Sequence, residues 1–318
     1  MRTVGLDLGG TNMHVVVLDG DDTIAHASLR TPVTGDRSGV IDVMGAAVHE
    51  ALDKAGLALG DVDAIGVGSP GVVIEGTVGG AANVPGFLER FSLAEAMRRN
   101  LGRPVRVTND VTGGAVAEHR LGAGCRARDM LAVFVGTGVG GGLVLNGEPY
   151  EGGKGGAGEF GHMVVRQGGA VCPCGRRGCV EAYAGRRAMT FAAERALAAG
   201  TSTILFDVMR EKGRPRATSG VFKEALDRGD PLVADLLEDA VDALGAGIAS
   251  TVNLLDIDVV VLGGGLADKL GDQFRTRVDA AMRPSLFLQP ARVRLASAEL
   301  GDEGGAIGAA LLAGDAHA

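Results

Sequence analysis

The chain has 318 residues, enough for two domains with proper cores, and its 46% hydrophobic content argues against disorder over any long stretch. A formal net charge of −8 argues against a general nucleic-acid or membrane surface, and charges or glycines interrupt every apolar run before it reaches the length of a membrane span. Met1-Arg2-Thr3 leads straight into a strand pattern without a signal peptide, so a cytoplasmic protein is expected.

In chain order, residues 4–8 read as a strand, Gly9-Gly10-Thr11-Asn12 as a glycine turn, and residues 13–18 as a second strand ending in Asp19-Gly20, a hairpin-turn dipeptide. Residues 40–55 have helical spacing, and 62–68 read as a strand stopping at Ser69-Pro70-Gly71. Asn83-Val84-Pro85-Gly86-Phe87 is a loop, followed by an amphipathic helix over 88–101. Residues 105–108 form a strand that stops at Asn109-Asp110, before a helix weakened by Gly113-Gly114.

The opening layout returns at 131–147 around Gly136-Thr137-Gly138-Val139-Gly140-Gly141-Gly142. Aligned without a gap, Gly9 falls on Gly136, Leu18 on Leu145 and Gly20 on Gly147, an internal repeat that predicts two similar domains facing each other across a cleft. Helices are expected over 184–199, 218–227 and 232–255. An apolar strand at 259–262 runs into Gly263-Gly264-Gly265, followed by a helix over 268–282, a short strand at 293–296 and a small-residue helix at 304–312. Strands alternating with helices make the chain α/β. The division expected is an N-terminal domain of residues 1–115, with the closing helix 304–318 packing back on it, and a C-terminal domain of residues 116–303.

Three of the four cysteines, Cys172, Cys174 and Cys179, fall within eight residues, with His162 ten positions upstream. One imidazole and three thiolates make the donor set of a closed, structural zinc site; a disulfide would leave one cysteine over. Glu159 and Glu181 flank this cluster without completing a ligand set. The glycine turns after Asp7 and around Thr137 let backbone N–H groups approach an anion, although a plain hairpin would also use such glycines. No Gly-x-x-x-x-Gly-Lys-Ser/Thr is present, which excludes a P-loop. Asp110 suits either a helix N-cap or a base that accepts a proton from a substrate hydroxyl. Asn83, Asn109, Asp110, Glu159, His162 and Glu181 together offer the amides and carboxylates that a polyhydroxyl ligand requires.

These residues resemble the ROK family of sugar kinases and sugar-responsive repressors, within the two-domain actin-like ATPase fold, over nearly the whole chain. Asp7-x-Gly-Gly-Thr11 is similar to the family's first phosphate loop and Gly136-Thr-Gly-x-Gly-Gly-Gly142 to its second. Glu159-x-Gly-His162 with Cys172-x-Cys-Gly-x-x-Gly-Cys179-x-Glu181 resembles its own signature. The resemblance implies an ATP- and Mg²⁺-dependent kinase acting on the 6-hydroxyl of a hexose, glucose before fructose or N-acetylmannosamine. Asp110 would be the base, and Gly71, Asn83, Asn109, Asp110, Glu159, His162 and Glu181 would bind the sugar. Zinc would sit on His162, Cys172, Cys174 and Cys179, and Mg²⁺ on Asp7 through water. Gly9, Gly10, Thr11, Asn12, Gly136, Thr137 and Gly138 would meet the phosphates of ATP, and Gly263, Gly264 and Gly265 its adenosine. A homodimer or homotetramer is implied.

Family repressors carry a helix-turn-helix before the first phosphate loop, where this sequence has three residues before Val4, and a non-catalytic sugar-binding regulator is the further alternative. Two departures stand out. Val111-Thr112-Gly113-Gly114 follows Asp110 where the family usually has x-Asn-Ala-Ala after its catalytic aspartate, and His14 stands where a small residue is common.

Overall fold

A computed structural model describes residues 1–81, 83–290 and 292–317. The glycine turn joins β1 (Arg2–Leu8) to β2 (Asn12–Asp19), and a tight turn through Gly20 leads to β3 (Asp22–Arg30), all antiparallel. The third strand was not expected, because most of its side chains are exposed and no apolar alternation marks it. Asp36 accepts a hydrogen bond from the Gly39 N–H and starts α1 (Arg37–Ala55), which Gly56 closes in the left-handed region.

The next strands are β4 (Ala64–Ser69), then β5 (Val72–Ile74), β6 (Thr77–Gly79) and β7 (Phe91–Ser92), the last three forming a small antiparallel sheet. The helix expected over 88–101 is only α2 (Leu93–Leu101), since Ser92 accepts from the Glu95 N–H and caps it there. β8 (Val105–Asn109) leads directly into α3 (Asp110–Leu121).

The second half begins with β9 (Met130–Val135), β10 (Val139–Leu145) and β11 (Glu148–Pro149). Four helices follow the cysteine loop: α4 (Glu181–Ala184), α5 (Arg186–Ala198), α6 (Leu205–Glu211) and α7 (Ser219–Asp227). The long α8 (Pro231–Leu255) has Pro231 in its first turn and Asp230 as its cap; that buried carboxylate also accepts from Thr203 and Ile204, which fixes the approach to α6. The chain ends with β12 (Val259–Gly263), α9 (Gly265–Met282), β13 (Arg294–Ser297) and α10 (Gly304–Asp315).

Two five-stranded sheets result, ordered β3-β2-β1-β4-β8 and β11-β10-β9-β12-β13. Each has the same plan, with parallel pairs β1–β4 and β4–β8 in the first and β9–β12 and β12–β13 in the second. The repeat read from two glycine turns is therefore a repeat of whole sheets.

The chain forms two compact units. The first takes Met1–Arg126, Gly142–Gly158 and the residues from Glu299 onward; the second takes Ala127–Gly141 and Glu159–Ala298. This differs from the division at 115, because α3 continues as one helix through that point. In the first unit, Val15 and Val17 join α1 and α2 in one apolar cluster, while Val16 and Leu18 join α3 and α10 in another. Alternation along β2 thus buries both faces of the sheet. α10 lies against β1 and β4 so closely that a Cβ on Gly5 would overlap the Ala306 carbonyl oxygen, and one on Gly66 that of Ala309. The crossing of α10 over α3 needs Gly308 in the same way, against the Gly113 carbonyl. Gly113, one of the two glycines noted after Asp110, thus sits under a helix crossing.

Glu118 on α3 is buried and accepts from the N–H groups of Ala123, Glu299 and Leu300, which ties the end of α3 to the chain where it re-enters the first unit. In the second unit, β9 and β12 bury Leu131, Val133, Val260 and Leu262, with Leu244 of α8 and Phe274 of α9 also buried. Among the described residues no helix is long and apolar enough to cross a membrane.

Candidate active site and metal cluster

Parallel strands deliver their carboxyl ends to one edge of a sheet, where α/β folds place ligands. In the first unit Asp7 pairs with Gly68, and Ser69 pairs with Asn109, so the ends of β1, β4 and β8 lie side by side. The absent side chain of Gly68 leaves room there. A Cβ built on it would stand 3.4 Å from Asp7 Oδ1 and 3.5 Å from Asp110 Cα. A Cβ on Gly305, in the first turn of α10, would lie 2.7 Å from Asp7 Oδ2.

The Asp7 carboxylate is enclosed, and its Oδ1 has no hydrogen-bond partner among the described residues. Burial first, then the charges of Asp110 and Asp302, push its pKa up to about 8. Asp302 belongs to the short turn before α10 and was not a sequence candidate; nothing local marks it, and only the return of the chain brings it near Asp7. A buried, orphaned carboxylate oxygen close to two further acids suits a hydrated divalent cation.

Asn109, not Asp110, caps α3. Its Oδ1 accepts from the N–H groups of Val111 at 3.0 Å and Thr112 at 3.2 Å, while its Nδ2 donates to the Gly71 carbonyl at 3.1 Å. Gly71, at φ +87°, is thereby fastened to the start of the helix. Asp110 is the first helical residue, with Oδ1 accepting from the Val111 N–H at 3.0 Å. The first glycine loop is closed by Thr31, whose hydroxyl donates to the Gly9 carbonyl at 2.6 Å and whose N–H donates to the Thr11 carbonyl at 3.0 Å. Asn83 stands against Gly10, and Thr11 and Asn12 are exposed. Asp7, Gly9, Gly10, Thr11, Asn12, Gly71, Asn83, Asn109 and Asp110 all belong to the first unit.

The second unit holds the remaining candidates. Its glycine loop joins β9 to β10, with the Gly136 N–H donating to the Gly138 carbonyl at 2.9 Å. Gly263 pairs with Phe134, and Gly264, at φ +89°, has no room for a Cβ against the Val135 backbone. The Gly136–Gly138 and Gly263–Gly265 loops are therefore neighbours. Glu181 braces the first of them: its Oε2 accepts from the Val139 N–H at 2.9 Å, and a Cβ on Gly138 would overlap that oxygen. Its Oε1 stands 3.9 Å from Cys172 Sγ, so one carboxylate joins the glycine loop to the cysteine cluster. Arg186, at the start of α5, also touches this loop through Thr137. It was not singled out in the sequence, where it is one arginine of a pair.

The donor atoms of His162, Cys172, Cys174 and Cys179 all lie within 4.8 Å of one another. Cys172 Sγ is 3.8 Å from His162 Nδ1, and Cys174 Sγ is 3.9 Å from Cys179 Sγ. A tetrahedron with zinc–sulfur bonds of about 2.3 Å has edges of about 3.8 Å, so these donors fit a four-coordinate zinc. All four cysteines are free thiols. Burial pushes the Cys172 thiol up to about 12, so a thiolate there needs a cation beside it. Gly175 at φ +86° and Gly178 at φ +83° make the turns that bring three sulfurs to one point. With Nδ1 aimed at the cluster, His162 Nε2 lies 4.0 Å from Glu159 Oε2.

The model of the ROK family matches residues 3–316. A glucokinase of Streptomyces coelicolor is 31% identical over 318 residues, spanning 98% of this chain and 97% of that protein. An N-acetylmannosamine kinase of Haemophilus influenzae is 30% identical over 316 residues, spanning 98% and 94% respectively. Among solved structures, a ROK family glucokinase from Streptomyces griseus in complex with glucose and AMPPNP has a TM-score of 0.82 and 30% identity, covering 99% of this chain and 100% of that one.

Proposed function

The chain belongs to the ROK family and is a sugar kinase of the actin-like ATPase fold, and from that premise we propose that it transfers the γ-phosphoryl group of ATP to the 6-hydroxyl of glucose. The observation that carries this reading is the placement of Asp110 next to the buried Asp7 at the strand ends, with Asn109 taking the helix cap. An aspartate at the first helical position suits a base on a rigid element, since α3 fixes its backbone.

In this reading the Asp110 carboxylate accepts the proton of the 6-hydroxyl as that oxygen bonds to the γ-phosphorus. The bond from phosphorus to the β–γ bridging oxygen breaks, and ADP leaves. Gly71, Asn83, Asn109, Glu159, His162 and Glu181 hold the sugar, with Asn109 also fixing Gly71 through its side-chain amide. Gly9, Gly10, Thr11, Asn12, Gly136, Thr137 and Gly138 receive the phosphates, and Gly263, Gly264 and Gly265 the adenosine. Asp7 would hold Mg²⁺, which when bound neutralises phosphate charge. His162, Cys172, Cys174 and Cys179 would hold zinc, which supplies no chemistry but fixes the His162 ring and the loop that ends in Glu181. The enzyme would act in the cytoplasm as a homodimer or homotetramer. N-acetylmannosamine is the second acceptor considered, on the near-equal identity of the Haemophilus relative, with fructose behind it.

The test is ADP release from Mg²⁺-ATP measured across glucose, fructose, mannose, N-acetylglucosamine and N-acetylmannosamine, beside Asp110→Asn. Glucose should give the highest kcat/KM, and the variant should lose about 10²–10⁴-fold in kcat while still binding sugar. A preference for another sugar would move the acceptor and keep the mechanism. A folded, zinc-loaded chain inactive on every sugar would overturn the kinase reading and favour a non-catalytic sugar-binding protein.

A further inference from the structure

Arg186 is seated on the second glycine loop by two bonds. Its backbone N–H donates to the Gly136 carbonyl at 3.2 Å, and its Nη2 donates to Thr137 Oγ1 at 3.0 Å. The next residue adds a third tie, from the Arg187 N–H to the Thr137 carbonyl at 3.1 Å. The guanidinium is half-buried, and its Nε is fully enclosed with no hydrogen-bond partner among the described residues.

Arg166 and Arg283, also partly buried, have an acid at hand in Asp239 and Asp279, and the partly buried Arg103 and Arg106 donate to the carbonyls of Val62 and Leu312. Arg186 forms no such pair among the described residues, and burial alone draws its pKa below the ordinary arginine value, with no carboxylate opposing that shift. A desolvated cation without a counter-charge is unfavourable until an anion completes it.

The surroundings say what kind of anion. Thr137 accepts a hydrogen bond from Arg186, so its own hydroxyl proton is directed to another acceptor. Arg186 also opens α5, a 13-residue helix whose first two N–H groups are taken by the Gly136 and Thr137 carbonyls, which leaves the guanidinium as the group that meets an anion. The Nη–H donors, a hydroxyl and a glycine loop together match the oxygens of a phosphate.

We propose that Arg186 binds the phosphate chain of the nucleotide directly, held over the glycine loop by Thr137, a role that rests on the kinase reading above. It supplies from α5 the positive charge that a P-loop would supply from its own lysine.

Calorimetric titration of the full-length, zinc-loaded protein with ADP, adenosine, glucose and glucose 6-phosphate tests this, using wild type, Arg186→Gln and Arg186→Lys. Arg186→Gln should weaken ADP about 10- to 100-fold and leave adenosine and glucose binding unchanged. KM for ATP should rise with KM for sugar unchanged, and Arg186→Lys should recover part of the loss. Wild-type affinity for ADP in Arg186→Gln would overturn the proposal while leaving the kinase reading intact. Equal loss of ADP and adenosine would reduce Arg186 to a structural support of the loop. Loss confined to glucose 6-phosphate would assign the residue to the sugar phosphate instead. A wild-type protein that binds neither ADP nor ATP would remove the kinase reading, and Arg186's role with it.

Discussion

At the scale of single residues, Asp7 carries the clearest electrostatic consequence. Its folded pKa of about 8 stands far above the roughly 3.9 of an unfolded aspartate, with burial as the main cause. Between those values the folded chain holds a proton that the unfolded chain has released, so stability falls as pH rises through this window. The contribution is fully present below the unfolded pKa and lost by the folded one. Urea unfolding without Mg²⁺ at pH 5, 6.5 and 8 should therefore show wild type losing stability relative to Asp7→Asn, most of all at pH 8. A gap independent of pH would contradict it. Asp7 and Asp110 were legible because each lies within one residue of a strand end, close to polar or glycine residues. Asp302 and Arg186 were not, since their meaning comes from long-range approach: one from the return of the chain to the first unit, the other from the start of α5 lying under Thr137. The cap was legible only in kind. Sequence favoured Asp110 as a possible cap, and the geometry gives that work to Asn109.

At the scale of elements, the loop from Val164 to Glu181 has little regular structure beyond the isolated bridges Val164↔Cys179 and Val171↔Arg177. Its shape depends on turns and on the four donors, so removal of the proposed zinc would act on the whole loop. Through Glu181 it also acts on the Val139 amide. Chelation, or Cys179→Ser, should abolish bound zinc, lower Tm by about 5 °C or more, and speed hydrogen exchange at Val139. Unchanged exchange at Val139 would separate the metal from the glycine loop. The cluster was readable because its chemistry is compressed into a few consecutive residues. β3 and α6 were not: the first is exposed on most of its length, and the second is seven residues long. The true start of α2 was set by a serine cap rather than by the apolar pattern.

At the scale of the whole molecule, the sheet order is duplicated, and the sequence disclosed this through two glycine turns alone. The unit boundaries were hidden because the chain returns to the first unit twice, at Gly142 and at Glu299, and no composition shift marks either return. Close approach of α10 to the first sheet makes Gly66 a sensitive position. Gly66→Ala would force a Cβ into the Ala309 carbonyl, which is backbone and cannot rotate away. It should cost about 1–3 kcal/mol or more in urea unfolding, whereas Gly60→Ala, with nothing within 4 Å of its Cβ, should stay within about 0.5 kcal/mol. Equal effects at the two sites would remove the packing explanation.

The same helix orders events in time. α10 follows every residue of the second unit, yet it covers Val16, Leu18, Val116 and Ala117 of the first. A ribosome making this protein emits the first sheet early and its covering helix last, so one apolar face stays open throughout synthesis of residues 127–298. The second unit can complete itself while the first waits. The nascent chain thus matures out of order, and the half made first is the half that depends longest on protection from aggregation.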